Sequence, residues 1–465
     1  MNAVLLKELR QSVRNRYVLA AYVIFIVVLL VVAGVQVSLF VQNSWNNPQS
    51  VFSSGKVLFM TIHGIFAALA IAFIPTYVMT RIIKERWGTN LDLMYVTPMP
   101  PSALLMGKFC SAMALAGLFL SGALPFLALS YFIGGIDVLS IVMTVILTLE
   151  IIALLTLYAI VVAIAPMPKI IRGLAQIGLV MHLVSAVWMW IAGSSALCSE
   201  GYTSILGNRD SCILLVELMA VGVSVGGLLY AAALAGFRSV NLDRMRPFRI
   251  LATVLFAAWG VIAAIQSRYD FFEDTLKIWV CVLMLFSAGM LVLGLSERAE
   301  SGAYLRKSLP RSLAWRVLGF PFRTGQFNAV CWALLLFVTG FALSYAIFTK
   351  TRDADFADGG RVFVLNISGY ALTMLALWRG YLRFRRMPVA SLWWVTGVAM
   401  LLVTAILGPL CAGGMDAIDY FVGYVFAERH DVVLPLLYCW NALALLCCVC
   451  CAIYCTYCGK MRCSR

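Results

Sequence analysis

Charge is what this chain has least of. Asp, Glu, Lys and Arg make up 12% of its 465 residues, where a soluble domain carries about a quarter. Hydrophobic residues make up 63%, more than a water-soluble globule could hide in its own core, so the bilayer must be the solvent. Also missing is any polar stretch long enough to fold as a soluble catalytic domain. A phosphate-binding loop, G-x-x-x-x-G-K-[ST], is missing too. Gly107-Lys108 is followed by Phe109, and no glycine stands five residues before Gly107. The chain therefore holds no nucleotide motor of its own, and nothing in it points to catalysis.

What is present is a succession of apolar runs. Tyr17–Val41, Leu174–Leu197 and Ile213–Phe237 each reach the ~20 residues needed to cross ~30 Å of hydrocarbon as helix. In lipid the backbone must satisfy its own hydrogen bonds, which leaves helices or a closed barrel. Apolar residues fill all faces of these runs and do not alternate, so the expected fold is all-α and polytopic. Twelve spans are expected, at 17–41, 57–80, 107–133, 138–165, 170–197, 213–237, 249–267, 276–296, 327–348, 361–381, 391–410 and 435–456. The first run is too long for a signal-peptide core and no small-x-small cleavage site follows, so it is read as an uncleaved span.

Cytoplasmic loops should be rich in Lys and Arg. With the N-terminus inside, that side collects 27 of the 35 basic residues, from Lys7, Arg10, Arg14 and Arg16 to Lys460, Arg462 and Arg465. Acids lean the other way, in Asp270/Glu273/Asp274, Asp353/Asp355/Asp358 and Asp416/Asp419. Both termini are thus expected in the cytoplasm. The net charge of +14 follows from topology and gives no sign of nucleic-acid binding. The basic loop from Glu297 to Asn328, with Leu309, Leu313, Trp315 and Leu318, reads as an amphipathic segment on the anionic inner leaflet.

Two polar stretches are more specified than a connection needs. Ahead of the first span, Leu5, Leu6, Leu9 and Val13 share one helical face while Lys7, Arg10 and Arg14 fall on another. This predicts an interfacial helix. Between the second and third spans runs KERWGTNLDLMYVTPMPPSALLMGK, residues Lys84 to Lys108. Gly88 allows a turn, and Thr89 with Asp92 three residues on makes a capping-box-like start. Leu91, Met94 and Tyr95 share a face, and Pro98 disfavours helix at Thr97. Pro100 and Pro101 stiffen the return, and Ser102 can cap the next span. The spacing predicts a short helix over about 89–97, clamped between two spans. Its apolar face suits either a groove on a protein partner or its own neighbouring loops.

The same residues carry a family resemblance. Asn2-Ala3-Val4-Leu5-Leu6-Lys7-Glu8-Leu9-Arg10-Gln11 resembles the start of ABC-2-type ABC transporter permeases. So does Glu85-Arg86-x-Gly88-Thr89-x-x-x-Leu93 followed by Thr97-Pro98 and Gly107-Lys108. Leu124-Pro125 and the Gly134-Gly135 turn fit the same pattern. The resemblance covers residues 1–240, one six-span unit, and leaves 241–465 as an appended six-span module. It implies that 89–97 is a coupling helix seated in a cytosolic ATPase subunit. Glu85, Arg86, Gly88, Thr89, Asp92, Leu93, Thr97 and Pro98 would then transmit force. It also implies ATP and Mg bound by that separate chain and no cofactor in this one. Two permease units, as a homodimer or a mixed pair, would line one pathway in the bacterial cytoplasmic (inner) membrane. Export is the direction the resemblance favours; the substrate is not encoded in any residue pattern.

Other candidates carry their own chemistry. Glu150 stands mid-span near Thr144, Thr148 and Thr156. An intramembrane acid marks either a substrate or ion site or a neutral interhelical hydrogen bond. With Glu150 as its coupling site the chain would instead be an ion-driven secondary transporter. A third reading is a non-transporting scaffold that recruits an ATPase. His63 and His182 read as polar packing, since neither has a ligand partner at i+4. Cys198 and Cys212 bracket one outward loop and could form a disulfide in an oxidising compartment. In the cysteine-rich tail, the cysteines from Cys447 through Cys455 read as small apolar filler, lipidation or a metal stays open at Cys458 and Cys463, and no metal site is assigned.

Overall fold

The structure, a computed structural model, describes residues 3–46, 51–87, 100–165, 169–238, 243–269, 275–294, 312 and 319–348. The expected short helix at 89–97 lies outside the described residues. So do most of the loop 297–328, the expected spans 361–381, 391–410 and 435–456, and the cysteine-rich tail.

The apolar runs fold as helices: α1 (Ala3–Val13), α2 (Arg16–Asn46), α3 (Val51–Trp87), α4 (Pro101–Ile133), α5 (Val138–Ile164), α6 (Lys169–Glu200), α7 (Tyr202–Gly207) and α8 (Arg209–Phe237). Then come α9 (Arg246–Gln266), α10 (Thr275–Gly294) and α11 (Gln326–Phe348). No strand occurs among the described residues. Seven helices among these residues, α2–α6, α8 and α9, are long and apolar enough to cross a bilayer, and α10 and α11 carry shorter apolar stretches. The described residues are helical without strands, and the apolar helices mark the chain as a multi-pass membrane protein. Its helices form two compact units, α1–α8 (without the first turn of α6) and α9–α11.

In the first unit α3 is the axis. One stripe of it, including Leu58, Phe59, Ile62, Phe66, Ala67, Ala70, Ile71 and Ile74, is almost wholly buried against α4 and α5. That spacing of three and four is the mark of a helix with one packed face. At 37 residues α3 is about 55 Å long at ~1.5 Å per residue. It overshoots the hydrocarbon, and its last turns carry Arg81, Lys84 and Glu85 beyond the apolar zone. Phe119 of α4 ties α2 and α3 together through edge-on contacts with Tyr22, Phe25 and Phe73 at 5.7, 5.5 and 6.0 Å. The outward faces of α2 and α8, with Val23, Ile24, Val27, Val216 and Val223 more than half exposed, suit contact with lipid tails.

The return into α4 differs from the sequence expectation. Pro100 itself occupies the N-cap and Pro101 the first helical position, with no side-chain cap, so Ser102 lies inside the helix and caps nothing. A proline there gives up only an N–H that would have lacked a helical partner anyway. At the far end, α4 stops at Gly134, whose φ of 94° lies where a side chain is strained. α3 begins hard against this turn.

In the second unit α9, α10 and α11 pack around Trp332, whose Nε1–H donates to Thr253 Oγ1 at 2.9 Å. Buried Arg249 donates to the carbonyls of Pro321 (3.1 Å) and Arg323, and stacks on Trp332 at 5.9 Å. Asp243 accepts from the backbone N–H and the hydroxyl of Thr324 at 2.7 and 2.6 Å. One cation and one acid thus hold the turn that leads into α11.

Two glycines test this packing. A Cβ on Gly55 would lie 1.8 Å from the Gly134 carbonyl oxygen and 2.7 Å from that of Ser130, both backbone, whereas a Cβ on Gly117 meets nothing within 4 Å. Gly55→Ala is expected to cost about 1–3 kcal/mol, as overpacking does. Gly117→Ala is expected to gain up to about 1 kcal/mol from helix propensity. Thermal unfolding of the detergent-solubilised protein checks both, and equal melting of the two variants would contradict the α3–α4 contact.

Candidate functional site

At the end of the bundle where α1 lies, four charges from three helices meet. Glu8 of α1 places Oε2 2.9 Å from Arg81 Nη2 and Oε1 3.0 Å from Lys108 Nζ. Lys108 of α4 also pairs with Glu85 of α3, and Glu85 Oε1 lies 3.8 Å from Arg81 Nε. Cation and anion alternate around the ring: Glu8, Arg81, Glu85, Lys108. The side chains of Glu8 and Lys108 are only 4% exposed.

The surrounding polar groups complete the Arg81 shell. Its Nη1 donates to Ser12 Oγ (3.1 Å) and Tyr77 Oη (3.3 Å), and its Nη2 donates to Gln11 Oε1. Tyr77 Oη in turn lies 3.4 Å from both Ser12 Oγ and Asn15 Nδ2. An open space of about 10 Å³ remains beneath the ring, room for about one water. A charge this far from solvent is tolerated when paired on all sides. Removing one partner of such a buried pair costs about 3–5 kcal/mol, although the intact pair adds little over an apolar substitute. The ring therefore fixes which way three helices sit against one another.

The contact that α1 makes with the rest of the bundle is polar. Glu8 and Ser12, one turn apart, are its buried residues, while Leu5, Leu6 and Leu9 are half-buried and Val13 is 69% exposed. Lys7, Arg10 and Arg14 do point outward. The apolar stripe thus flanks the contact and the polar pair makes it.

Of the residues expected to transmit force, Glu85 stands in the ring. Arg86 falls in the last turn of α3, and Gly88, Thr89, Asp92, Leu93, Thr97 and Pro98 lie outside the described residues. Sequence reasoning missed Glu8, Arg81 and Lys108 as one site. A signal was available: Glu8 and Glu85 are acids on the side where bases collect, so each needs a cation close by.

Glu150 sits elsewhere, where α5 meets α8. A Cβ on Gly222 would come 2.1 Å from Glu150 Oε1 and 2.7 Å from its Cδ, and Gly226 and Gly236 meet Leu154 and Ile164 in the same way. Each glycine faces the residue 72 positions before it, the constant offset of two parallel helices in register. Glu150 Oε1 is enclosed there with no hydrogen-bond partner among the described residues.

Nearer the opposite end, hydroxyls line α5. Thr148 Oγ1 donates to the Thr144 carbonyl (2.6 Å), accepts from Trp190 Nε1–H (3.1 Å) and lies 2.8 Å from His63 Nε2. Cys198 and Cys212 are both thiols. Cys198 is buried with Sγ 3.3 Å from Thr144 Oγ1, and Cys212 is half-buried in the first turn of α8. His182 lies edge-on to Tyr158 at 5.6 Å. None of these groups adjoins the ring in sequence, and none forms a cluster of three metal-ligating side chains among the described residues.

Compared with known protein families, curated proteins and solved structures, the chain has no match.

The ring makes a thermodynamic prediction. Glu8→Ala leaves the buried cations Arg81 and Lys108 to share the single carboxylate of Glu85, and is expected to lower stability by up to about 3–5 kcal/mol. Adding Lys108→Ala should cost less than the sum of the single changes, with a coupling of about 0.5–3 kcal/mol. Chemical unfolding of the four proteins in one detergent gives the cycle, and strict additivity would dissolve the ring into separate surface contacts.

Proposed function

We propose that this protein is the membrane-spanning subunit of an ABC transporter of the ABC-2 type, an exporter in a bacterial cytoplasmic membrane driven by a separate ATPase. The reading rests on the residues that resemble that family and on one structural observation. The ion pair between Glu85 and Lys108 joins the two helices on either side of residues 88–100. Whatever that segment grips is thereby tied to α3 and α4 together, and through Glu8 to α1. A motor that pushes on a clamped segment moves all three helices at once. A free loop would flex and lose the stroke.

In this reading the short helix at 89–97 seats in a cleft of the ATPase, which binds ATP and Mg. Gly88, Thr89, Asp92, Leu93, Thr97 and Pro98 shape and orient it, and Arg86 lies at its root. None does chemistry. Both termini face the cytoplasm, and two permease units enclose the pathway. Residues 241–465 form a further membrane module of the same subunit.

One observation favours a second reading. The unpartnered Oε1 of Glu150 is a group that could take up a proton within the membrane. A gradient-driven transporter would use it; an ATP-driven one has no need to.

Purification in mild detergent should bring down a soluble ATPase with a phosphate-binding loop, and replacing 89–97 by a Gly-Ser linker should abolish that association with the protein still inserted. In proteoliposomes ATP-dependent transport should fall at least tenfold in the linker variant and persist in Glu150→Gln. No associated ATPase, together with transport lost in Glu150→Gln alone, would reverse the assignment.

A further inference from the structure

Beside the ring, α1, the start of α2, α3 and α6 enclose a groove of about 860 Å³, within the range of small-molecule sites. Its two ends differ in chemistry. Lys84, Arg81 and Gln11 stand at one end, while Leu69, Ala72, Phe73 and Val180 line the other. From Lys84 to Leu69 is fifteen residues of α3, about 22 Å at ~1.5 Å per residue. That length runs from the level of phosphates to the level of acyl tails.

The charges decide what the polar end accepts. Arg81, Lys84 and Lys108 stand against Glu8 and Glu85. The ring joins Arg81 and Lys108 to both acids, and Lys84 is exposed. Among the described residues an excess positive charge is left at the mouth. Gln11 has its oxygen engaged by Arg81, which turns its remaining amide hydrogens into donors for an incoming acceptor. Lys7, Arg10, Arg14 and Arg16 stand exposed on the adjoining turns and strengthen the pull on anions.

We propose that this groove holds one anionic phospholipid of the surrounding leaflet, with its phosphate at Lys84 and Gln11 and an acyl chain along Phe73, Ala72 and Leu69. The lipid fills the space between α1 and α3 and buttresses the ring from outside. A zwitterionic lipid offers the same tail but leaves the excess cation unmatched, so the groove selects by headgroup. This assignment requires only that the chain sit in a membrane, and it stands or falls separately from any ATPase.

The test uses the full-length protein reconstituted in vesicles of equal phosphatidylcholine and phosphatidylglycerol, extracted in mild detergent, with retained lipid counted by native mass spectrometry. Wild type should keep one phosphatidylglycerol per chain in clear preference to phosphatidylcholine. Lys84→Gln should weaken that preference about fivefold, the effect of one basic residue near an anionic surface. Ala72→Trp, which fills the apolar half and leaves every charge in place, should lose the bound lipid to a similar extent. Millimolar inorganic phosphate should not displace it. Equal retention of both lipids by wild type overturns the proposal, as does loss in Lys84→Gln with full retention in Ala72→Trp, which would indicate surface charge alone. Displacement by inorganic phosphate would overturn it in favour of a free-anion site. Should either variant fail to fold, the wild-type selectivity and the phosphate competition still decide.

Discussion

Glu8 is the group on which the first unit turns. It is a carboxylate with almost no access to water, held by Arg81 on one side and Lys108 on the other. Each contact reaches a different helix, so α1 cannot leave α3 without also leaving α4. The bilayer sharpens this constraint. Apolar contacts hold helices together weakly there, because lipid tails are as oily as leucine. Direction and register must come from groups that lipid cannot replace, namely charges, hydroxyls and glycine-lined close approaches. Contacts of this kind include the ring, the Thr148 junction with His63 and Trp190, and the glycine face of α8 against α5.

These contacts also explain why so few charges suffice. Outside the ring, most charged side chains of the first unit are exposed or half-exposed near helix ends. Glu150 stands mid-helix, and its setting is compact: Gly222 leaves room for the carboxyl group, and the glycines at 226 and 236 keep the same two helices close further along. The site is built by what α8 omits as much as by what α5 contributes.

How much of this could be read from the sequence depends on the range of the interaction concerned. The spans were legible because about twenty apolar residues in a row have one physical solution in lipid, and α2 through α6 and α8 follow the expected runs closely. The ends were less legible. α4 starts at Pro101, six residues before the expected span, because a proline N-terminus needs no hydroxyl cap. Hydrophobic periodicity alone does not mark Glu8 and Ser12, which share a face of α1 as regularly as the leucines do. The ring joins residues 8, 81, 85 and 108, and the offset of α8 on α5 joins residues 72 apart. Nothing local specifies either. Only the rule that an acid among bases must find a partner pointed toward Glu8 and Glu85.

α3 connects the two polar centres, since His63 belongs to one and Arg81 and Glu85 to the other. Between them stands Pro75. Proline removes the N–H that would satisfy the carbonyl four residues earlier, so the helix is weakest in that turn. Both flanks are fixed, one by Thr148 and Trp190 and the other by Glu8 and Lys108. A displacement applied at Glu85 therefore has one compliant place to go. It cannot be absorbed at the ring without separating buried charges, nor at His63 without breaking its bond to Thr148. Bending at Pro75 breaks neither. The groove residues Ala72 and Phe73 flank that turn. Whatever acts on residues 88–100 is thus coupled by covalent geometry and two polar anchors to the part of the chain that faces the groove.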